Sequence, residues 1–329
     1  MIFAEVPIEK GKGAVLAHSV AVSGRRLKKG LLLAAEHITA LKQMGHKTVT
    51  VARLEKDDVG EDFAAQTLAK ALLSGNSFGL RAGSPFTGRV NIIANGPGIV
   101  DQDIEKIIAL NSIDPMVTCA TVPQYQQMNE GGLVATVKII SYSVPKRSLL
   151  DACKFAKGSL RLLPPVIKTA SLLISDTAGG AGDKGLDAIS SRLKALDIAL
   201  LNIVRVPHEA SPMAYALSAF KTDLSLILTS SATSDLNDTA PNAVRQAGGQ
   251  LLRFGMPVDP GNLLFLGSLA NKPVIGLPGC ARSPKLNGAD WVLSRVACGI
   301  PCDMASFASM SVGGLLKEIP TRPQPRRSK

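Results

Sequence analysis

At 329 residues and 46% apolar content, the chain is long enough for two or three domains with full cores. Its 4% aromatic content and single Trp argue against stacking platforms for single-stranded nucleic acid, and no recognised nucleic-acid motif accompanies the formal net charge of +11. No apolar run approaches the roughly 18–20 residues of a membrane helix, and Glu5 and Glu9 stand where a signal peptide needs an apolar stretch.

The positive charge gathers in Arg25-Arg-Leu-Lys-Lys29 and in the tail residues Arg322, Arg326, Arg327 and Lys329. A solvated face with a basic tail accounts for this, as does attraction for an anionic ligand or an acidic partner. The five cysteines, Cys119, Cys153, Cys280, Cys298 and Cys302, form no CxxC pair and have no nearby His at zinc spacing. An odd count without a framework suits a reducing compartment, so a cytoplasmic protein is expected.

Residues 1–75 read as a small α+β unit. Val15–Val22 is expected as a strand, Glu36–Met44 as a helix closed by Gly45, and Thr48–Ala52 as an alternating strand. Asp58-Val-Gly-Glu61 has the form of a capping box opening a helix to about Leu73. His18, His37 and His46 are scattered and read as structural or surface residues.

Ser74–Gly79 is a candidate boundary, and residues 76–165 read as a second α+β unit. It holds strands over Gly88–Ala94, Val117–Val122 and Leu133–Ser143, a helix capped by Asp101, and another over Ser148–Leu160. Pro164-Pro165 closes it. Residues 166–319 then alternate strand and helix, which predicts an α/β domain with a mostly parallel sheet covered on both faces. The strands are expected at 166–175, 198–206, 224–229, 263–266 and 273–277, with another before Phe254, and helices at 186–196, 212–220, after Asn242 and at 291–297. Residues 320–329 are Pro-rich and basic and read as a disordered tail or linker.

Three loops in this last region carry chemistry. Asp176–Asp183 is acidic and Gly-rich, but its glycines do not have the G-x-G-x-x-G spacing. Two carboxylates there repel a pyrophosphate unless a metal sits between them. Thr229–Asp238 has five hydroxyls and two acids at a strand end, which suits phosphate or a polar heterocycle. Asp235 and Asp238 offer oxygen ligands for a divalent cation, or equally cap the next helix. Pro278-Gly-Cys-Ala-Arg-Ser283 places Arg282, whose fork matches phosphate geometry, at another strand end. Cys280 lacks a His neighbour in sequence and reads as a packed small residue. Asp259-Pro-Gly-Asn262 is a turn. Ligands of open α/β sheets bind outside the carboxyl ends of the strands, so these loops read as the mouth of one site.

In this order the loops resemble the molybdopterin-binding domain of molybdenum cofactor biosynthesis proteins. The segments are Ser175-Asp176, Thr229-Ser-Ser-Ala-Thr-Ser-Asp-Leu-Asn-Asp238, Asp259-Pro-Gly-Asn262 and Gly276-Leu-Pro-Gly-Cys-Ala-Arg-Ser283, the last being the strongest match. Lys29-Gly30, His37-Ile38, Leu41, Gly45 and Val49–Val51 resemble a segment of the same proteins. The family's paired glycines are Ser230 and Ser231 here, and its Asn-Pro is Cys280-Ala281.

The resemblance implies a three-layer α/β domain, with the smaller α+β parts preceding it. It implies molybdopterin, free or adenylylated, as ligand, with Thr229, Ser230, Ser231, Thr233, Ser234, Asp259, Pro260, Gly261, Pro278, Gly279, Cys280, Arg282 and Ser283 as binding residues. It also implies Asp176, Asp183, Asp235 and Asp238 as catalytic acids of a transferase, with Mg²⁺ on Asp235 and Asp238. Closer still, the chain resembles the molybdopterin-binding half of bifunctional cytidylyltransferases, which implies a cytidylyltransferase as partner; relatives form homo-oligomers. Three functions stay open: molybdate insertion with loss of a nucleotide, a cofactor-binding module without turnover, and a sugar- or nucleotide-binding α/β protein.

Overall fold

The computed structural model describes residues 1–22, 24–75, 79–178 and 182–316. The sequence-expected tail 320–329 lies outside them, as do Gly179 and Gly180 of the acidic loop. The chain divides into two units: Met1–Gly96 with Val100–Leu162, and Pro97–Ile99 with the residues from Leu163 onward.

In the second unit the elements follow as β1 (Thr169–Asp176), α1 (Leu186–Ala195), β2 (Ala199–Pro207), α2 (Ala210–Ala219), β3 (Leu224–Leu228), α3 (Thr239–Gln246), β4 (Gln250–Phe254), β5 (Phe265–Leu269), β6 (Lys272–Leu277), α4 (Gly288–Ala297) and α5 (Met304–Ser309). They build one six-stranded sheet in the order β2-β1-β3-β6-β5-β4. β2, β1, β3 and β6 run parallel, β5 is antiparallel to β6, and β4 is antiparallel to β5.

The apolar runs explain why this sheet is covered on both faces. Successive residues of a strand point to opposite sides, so a strand that is apolar at every position needs two partners. Leu172 and Ile174 of β1, Leu226 and Leu228 of β3 and Ile275 of β6 pack with Ile189 and Leu193 of α1, Val292 and Leu293 of α4 and Phe307 of α5. Leu173, Ile227 and Val274, the alternate residues, pack with Met213 and Leu217 of α2 and Ala243 and Val244 of α3. The result is an α/β fold with helices on either side of a mostly parallel sheet. Phe265 lies opposite Gly276 across the β5–β6 pair, and a Cβ on Gly276 would fall 1.9 Å from its ring. The glycine makes room for the aromatic.

The first unit has two separate apolar clusters. Ile8 to Val51 form one, around an antiparallel sheet of Ile2–Pro7, Thr48–Arg53 and Val15–Leu16. Ala64 to Leu162 form the other, around the antiparallel strands Val117–Thr121, Leu133–Ile139, Arg89–Ala94 and Leu80–Ala82. The helix Glu61–Leu72 buries Ala64, Ala65, Leu68, Ala69 and Leu72 in this second cluster.

Three local expectations in this unit are corrected. The strand expected over 15–22 breaks into Val15–Leu16 and Val20–Val22, the latter pairing with Arg25–Leu27 around Gly24 at φ +74°. The capping box at Asp58 does not form: Asp58–Gly60 pairs as a strand with Ser143–Pro145, and the Asp58 carboxylate holds the Met1 ammonium at 2.8 Å. Asp101 does not cap the helix Ile104–Asn111. Asp103 does, accepting from the Lys106 N–H at 3.1 Å, while Asp101 accepts from Arg161 at 2.7 Å.

Candidate functional site

Parallel strands deliver their carboxyl ends to one edge of a sheet. Here β1 ends at Asp176, β2 at Pro207, β3 at Leu228 and β6 at Leu277. The strand order reverses between β1 and β3, the place where an open sheet leaves a ligand crevice. His208, the residue after β2, ties this edge together. Its backbone N–H donates to the Asp176 carbonyl at 3.0 Å. Its ring lies 2.8 Å through Nδ1 from the Ser175 hydroxyl and 3.3 Å through Nε2 from the Ser231 hydroxyl. Ser175 is buried and Ser231 exposed. β2 and β3 flank β1, so the imidazole bridges the outer two loops across the middle strand. Sequence reading passed over His208, because a single histidine after an apolar strand belongs to no motif.

The loop after β3 is partly self-bonded. The Thr229 hydroxyl donates to the Ser231 carbonyl at 2.6 Å. Asp235 accepts from the Asn237 N–H at 2.7 Å. Asp238 accepts from the N–H groups of Thr239 at 2.6 Å and Ser234 at 3.0 Å, and so begins α3. Burial pushes the Asp238 carboxyl upward, but these N–H groups and the nearby His208 outweigh it and hold it below the ordinary carboxylate range. Among the described residues, the N–H groups of Ser230, Ser231, Ala232 and Thr233 donate to no acceptor, and the buried Ser230 hydroxyl oxygen has no partner. Thr233 is buried and Ser234 exposed. Unengaged N–H and O–H groups at a strand end are donors suited to anionic or strongly polar ligands.

The loop after β6 is held much more tightly. Pro278 is buried, and Gly279–Arg282 is a single 3-10 turn that leaves Cys280 half-buried. Arg192 of α1 is its anchor. This guanidinium pairs with Asp290 at 2.6 Å and donates to the carbonyls of Ala281 at 2.8 Å, Ser283 at 2.8 Å and Lys285 at 3.1 Å. Asp290 also accepts from the Asn287 N–H at 2.8 Å, so the same carboxylate caps α4. Arg282 reaches the other way, donating to the Thr229 carbonyl at 2.8 Å and to the Lys184 carbonyl. Burial lowers the affinity of the Arg282 guanidinium for its proton, and Asp176 opposes that shift. Gly185, at φ +98°, completes the contact: a Cβ there would stand 2.6 Å from the Arg282 Cα.

Asp176, Thr229, Ser231, Asp238 and Arg282 are therefore brought to one edge and linked through His208 and Arg282. Two other groups are engaged elsewhere. Asp183 pairs with Arg205 of β2 at 2.7 Å, both exposed. The turn Asp259–Gly261 comes to the same sheet edge but packs on α4. The Pro260 carbonyl accepts from the Gly288 N–H at 2.8 Å, and Asp259 bonds Gly314 and Leu316 at 2.8 and 2.9 Å. Among the described residues, no group of three or more His, Cys, Asp or Glu side chains is placed to hold a metal ion. Asp235 and Asp238, the expected Mg²⁺ ligands, direct oxygens at backbone N–H groups instead. Among the described residues, no helix is long and apolar enough to cross a membrane.

A family model described as a domain of unknown function (DUF8806) matches residues 5–53, in the first unit. No curated protein matches the chain. Among solved structures, the chain is similar to the molybdopterin biosynthesis MoeA protein from Pyrococcus horikosii, with 12% identity and a TM-score of 0.30 over 90% of this chain and 75% of that one. It is also similar to a molybdopterin biosynthesis protein from Mycobacterium abscessus, with 14% identity and a TM-score of 0.29 over 45% of this chain and 99% of that one. At such scores neither likeness carries an argument about the site.

Proposed function

We propose that the edge formed by the loops after β1, β3 and β6 binds a phosphorylated pterin of the molybdopterin type, within molybdenum cofactor biosynthesis. The observation that carries this reading is the convergence itself. Three of the four loop segments that resemble the molybdopterin-binding family, those after β1, β3 and β6, are joined through Ser175–His208–Ser231 and through Arg282 to the Thr229 carbonyl. The N–H groups of Ser230–Thr233 and the orphaned Ser230 hydroxyl are the donors that would meet phosphate or the pterin edge. Arg282 adds positive charge while holding the loops together.

The acids fit a resident Mg²⁺ less well. Asp238 caps α3, Asp235 accepts from the Asn237 N–H, and Asp183 is paired with Arg205. This favours a cofactor-binding module, one that stores molybdopterin or presents it to a cytidylyltransferase, over molybdate insertion. Mass spectrometry of ligand retained through purification, followed by titration with molybdopterin, tests the binding. A pterin bound with measurable affinity is expected, and nucleotide binding without pterin binding would overturn it. Incubation with adenylylated molybdopterin, Mg²⁺ and molybdate separates the two roles: the module reading expects no AMP release above background.

A further inference from the structure

Ser231, His208 and Ser175 form a chain with a direction. Ser175, the penultimate residue of β1, is buried at 1% exposure, so its hydroxyl is fixed by the sheet. It lies 2.8 Å from His208 Nδ1, and the His208 backbone is itself fixed by its bond to the Asp176 carbonyl. With its proton on Nδ1, pointed at Ser175, the imidazole keeps Nε2 as an acceptor. The group in front of Nε2, at 3.3 Å, is the exposed hydroxyl of Ser231. Nucleophile, base and orienting group thus stand in the order that activates a serine, at a spacing ordinary for a site without substrate.

Two further observations complete the arrangement. Beside Ser231 lie the N–H groups of Ala232 and Thr233, which donate to no acceptor among the described residues and are available to a developing oxyanion. The carboxylate of Asp238 interacts electrostatically with His208.

We propose that Ser231 is a nucleophilic serine activated by His208, giving this edge of the sheet a hydrolytic activity toward small carboxylic esters. Ser231 Oγ forms a bond to the ester carbonyl carbon while its proton passes to His208 Nε2. The carbon–oxygen bond to the alcohol breaks, and the departing alkoxide takes that proton. Water then attacks the acyl-serine, again losing its proton to Nε2, and releases the carboxylic acid as Ser231 regains its hydrogen. Ser231 and His208 are the catalytic residues, and Ser175 is a positioning residue. None of these steps needs a pterin, so the activity stands or falls independently of the ligand proposed above.

The test uses the full chain, an alkyl fluorophosphonate and 4-nitrophenyl acetate. Peptide mapping is expected to find the phosphonyl group on Ser231, fluoride having left. Ser231→Ala removes the label and the ester hydrolysis. His208→Gln slows both by on the order of a hundredfold, the usual contribution of a general base. Ser175→Ala lowers kcat with KM unchanged, and Ser175→Thr restores it because the hydroxyl remains. Unfolding curves of Ser231→Ala that match the parent show that the exposed position has been changed without loss of fold. No label on Ser231, label on another residue only, or unchanged hydrolysis in Ser231→Ala overturns the proposal.

Discussion

The loops that leave β3 and β6 begin alike, each at the end of a buried apolar strand, and are then organised in opposite ways. The β6 loop is bound by charge: Arg192 takes three of its carbonyls and Asp290. Among the described residues the β3 loop has no such ionic anchor over Ser230–Thr233, and its carboxylates make their hydrogen bonds at its far end, where α3 starts. A sheet edge that must both keep its shape and meet a ligand is served by this division. One loop is a rigid wall, and the other presents donors that no other described residue has claimed.

The sharpest way to break the contrast is to remove the anchor. Arg192→Ala leaves Asp290 without its ionic partner and the carbonyls of Ala281 and Ser283 without their Arg192 donor, while the Lys285 carbonyl keeps Asn287 Nδ2 at 3.1 Å. The Arg192 side chain is only 9% exposed. Breaking a buried pair by removing one member costs about 3–5 kcal/mol, so calorimetry is expected to show a melting midpoint lower by roughly 10 °C. Arg192→Lys keeps the charge but not the planar fork, and is expected to recover only part of the loss. A midpoint unchanged in Arg192→Ala would mean that the β6 loop is held by its own turn.

These two loops also show what could be read from the sequence and what could not. The strands Leu224–Leu228 and Lys272–Leu277 were legible because runs this short that are apolar on both faces, but for Ser225 and the opening Lys272, have to be covered on both sides. The hydroxyl-rich turn was legible because Ser, Thr and Asp cluster directly after a strand. Arg192 was not: among Arg192 and Lys194 on one helix it looks like an ordinary solvated cation, and its partners lie about 90 residues further along the chain. His208 escaped for the same reason, since its partners come from β1 and from the β3 loop. In the first unit, Asp101 reads as the cap from its place before an apolar run, but it is taken by Arg161, whose partner role lies 60 residues away and leaves no local signal, and Asp103 caps instead. The six-residue α5 is too short to give a periodic signal.

A second change tests the strand under the rigid wall. Gly276 lies next to the end of β6, with the Phe265 ring against it. Gly276→Ala cannot be accommodated without moving that ring out of its place beside Val244 and Val274. Overpacking of this kind costs about 1–3 kcal/mol. Chemical denaturation should report it as a lower midpoint with an unchanged slope. Pairing it with Phe265→Leu, which shortens the obstructing side chain, should recover part of the loss; no recovery would place the strain elsewhere.

The smallest expected effect concerns the open loop, and there the useful variable is pH. Asp238 has its folded carboxyl held below its ordinary value, because the N–H groups of Ser234 and Thr239 and the charge of His208 outweigh its partial burial. A depressed folded value means that the contribution to stability is fully present above the unfolded carboxylate value, about 3.9, and is lost as pH falls through the folded one. Asp238→Asn keeps a capping oxygen but cannot ionise. At neutral pH it should therefore cost only part of the ~1 kcal/mol that removing a cap altogether costs. As pH falls from about 4 through the depressed folded value its stability should converge with that of the parent, since the parent loses the charge over that range. Parallel curves for the two proteins across the acid range would show that the charge of Asp238 is not what orders the start of α3. The open loop would then owe its shape to its uncharged bonds, such as that of the Thr229 hydroxyl to the Ser231 carbonyl, and to Arg282.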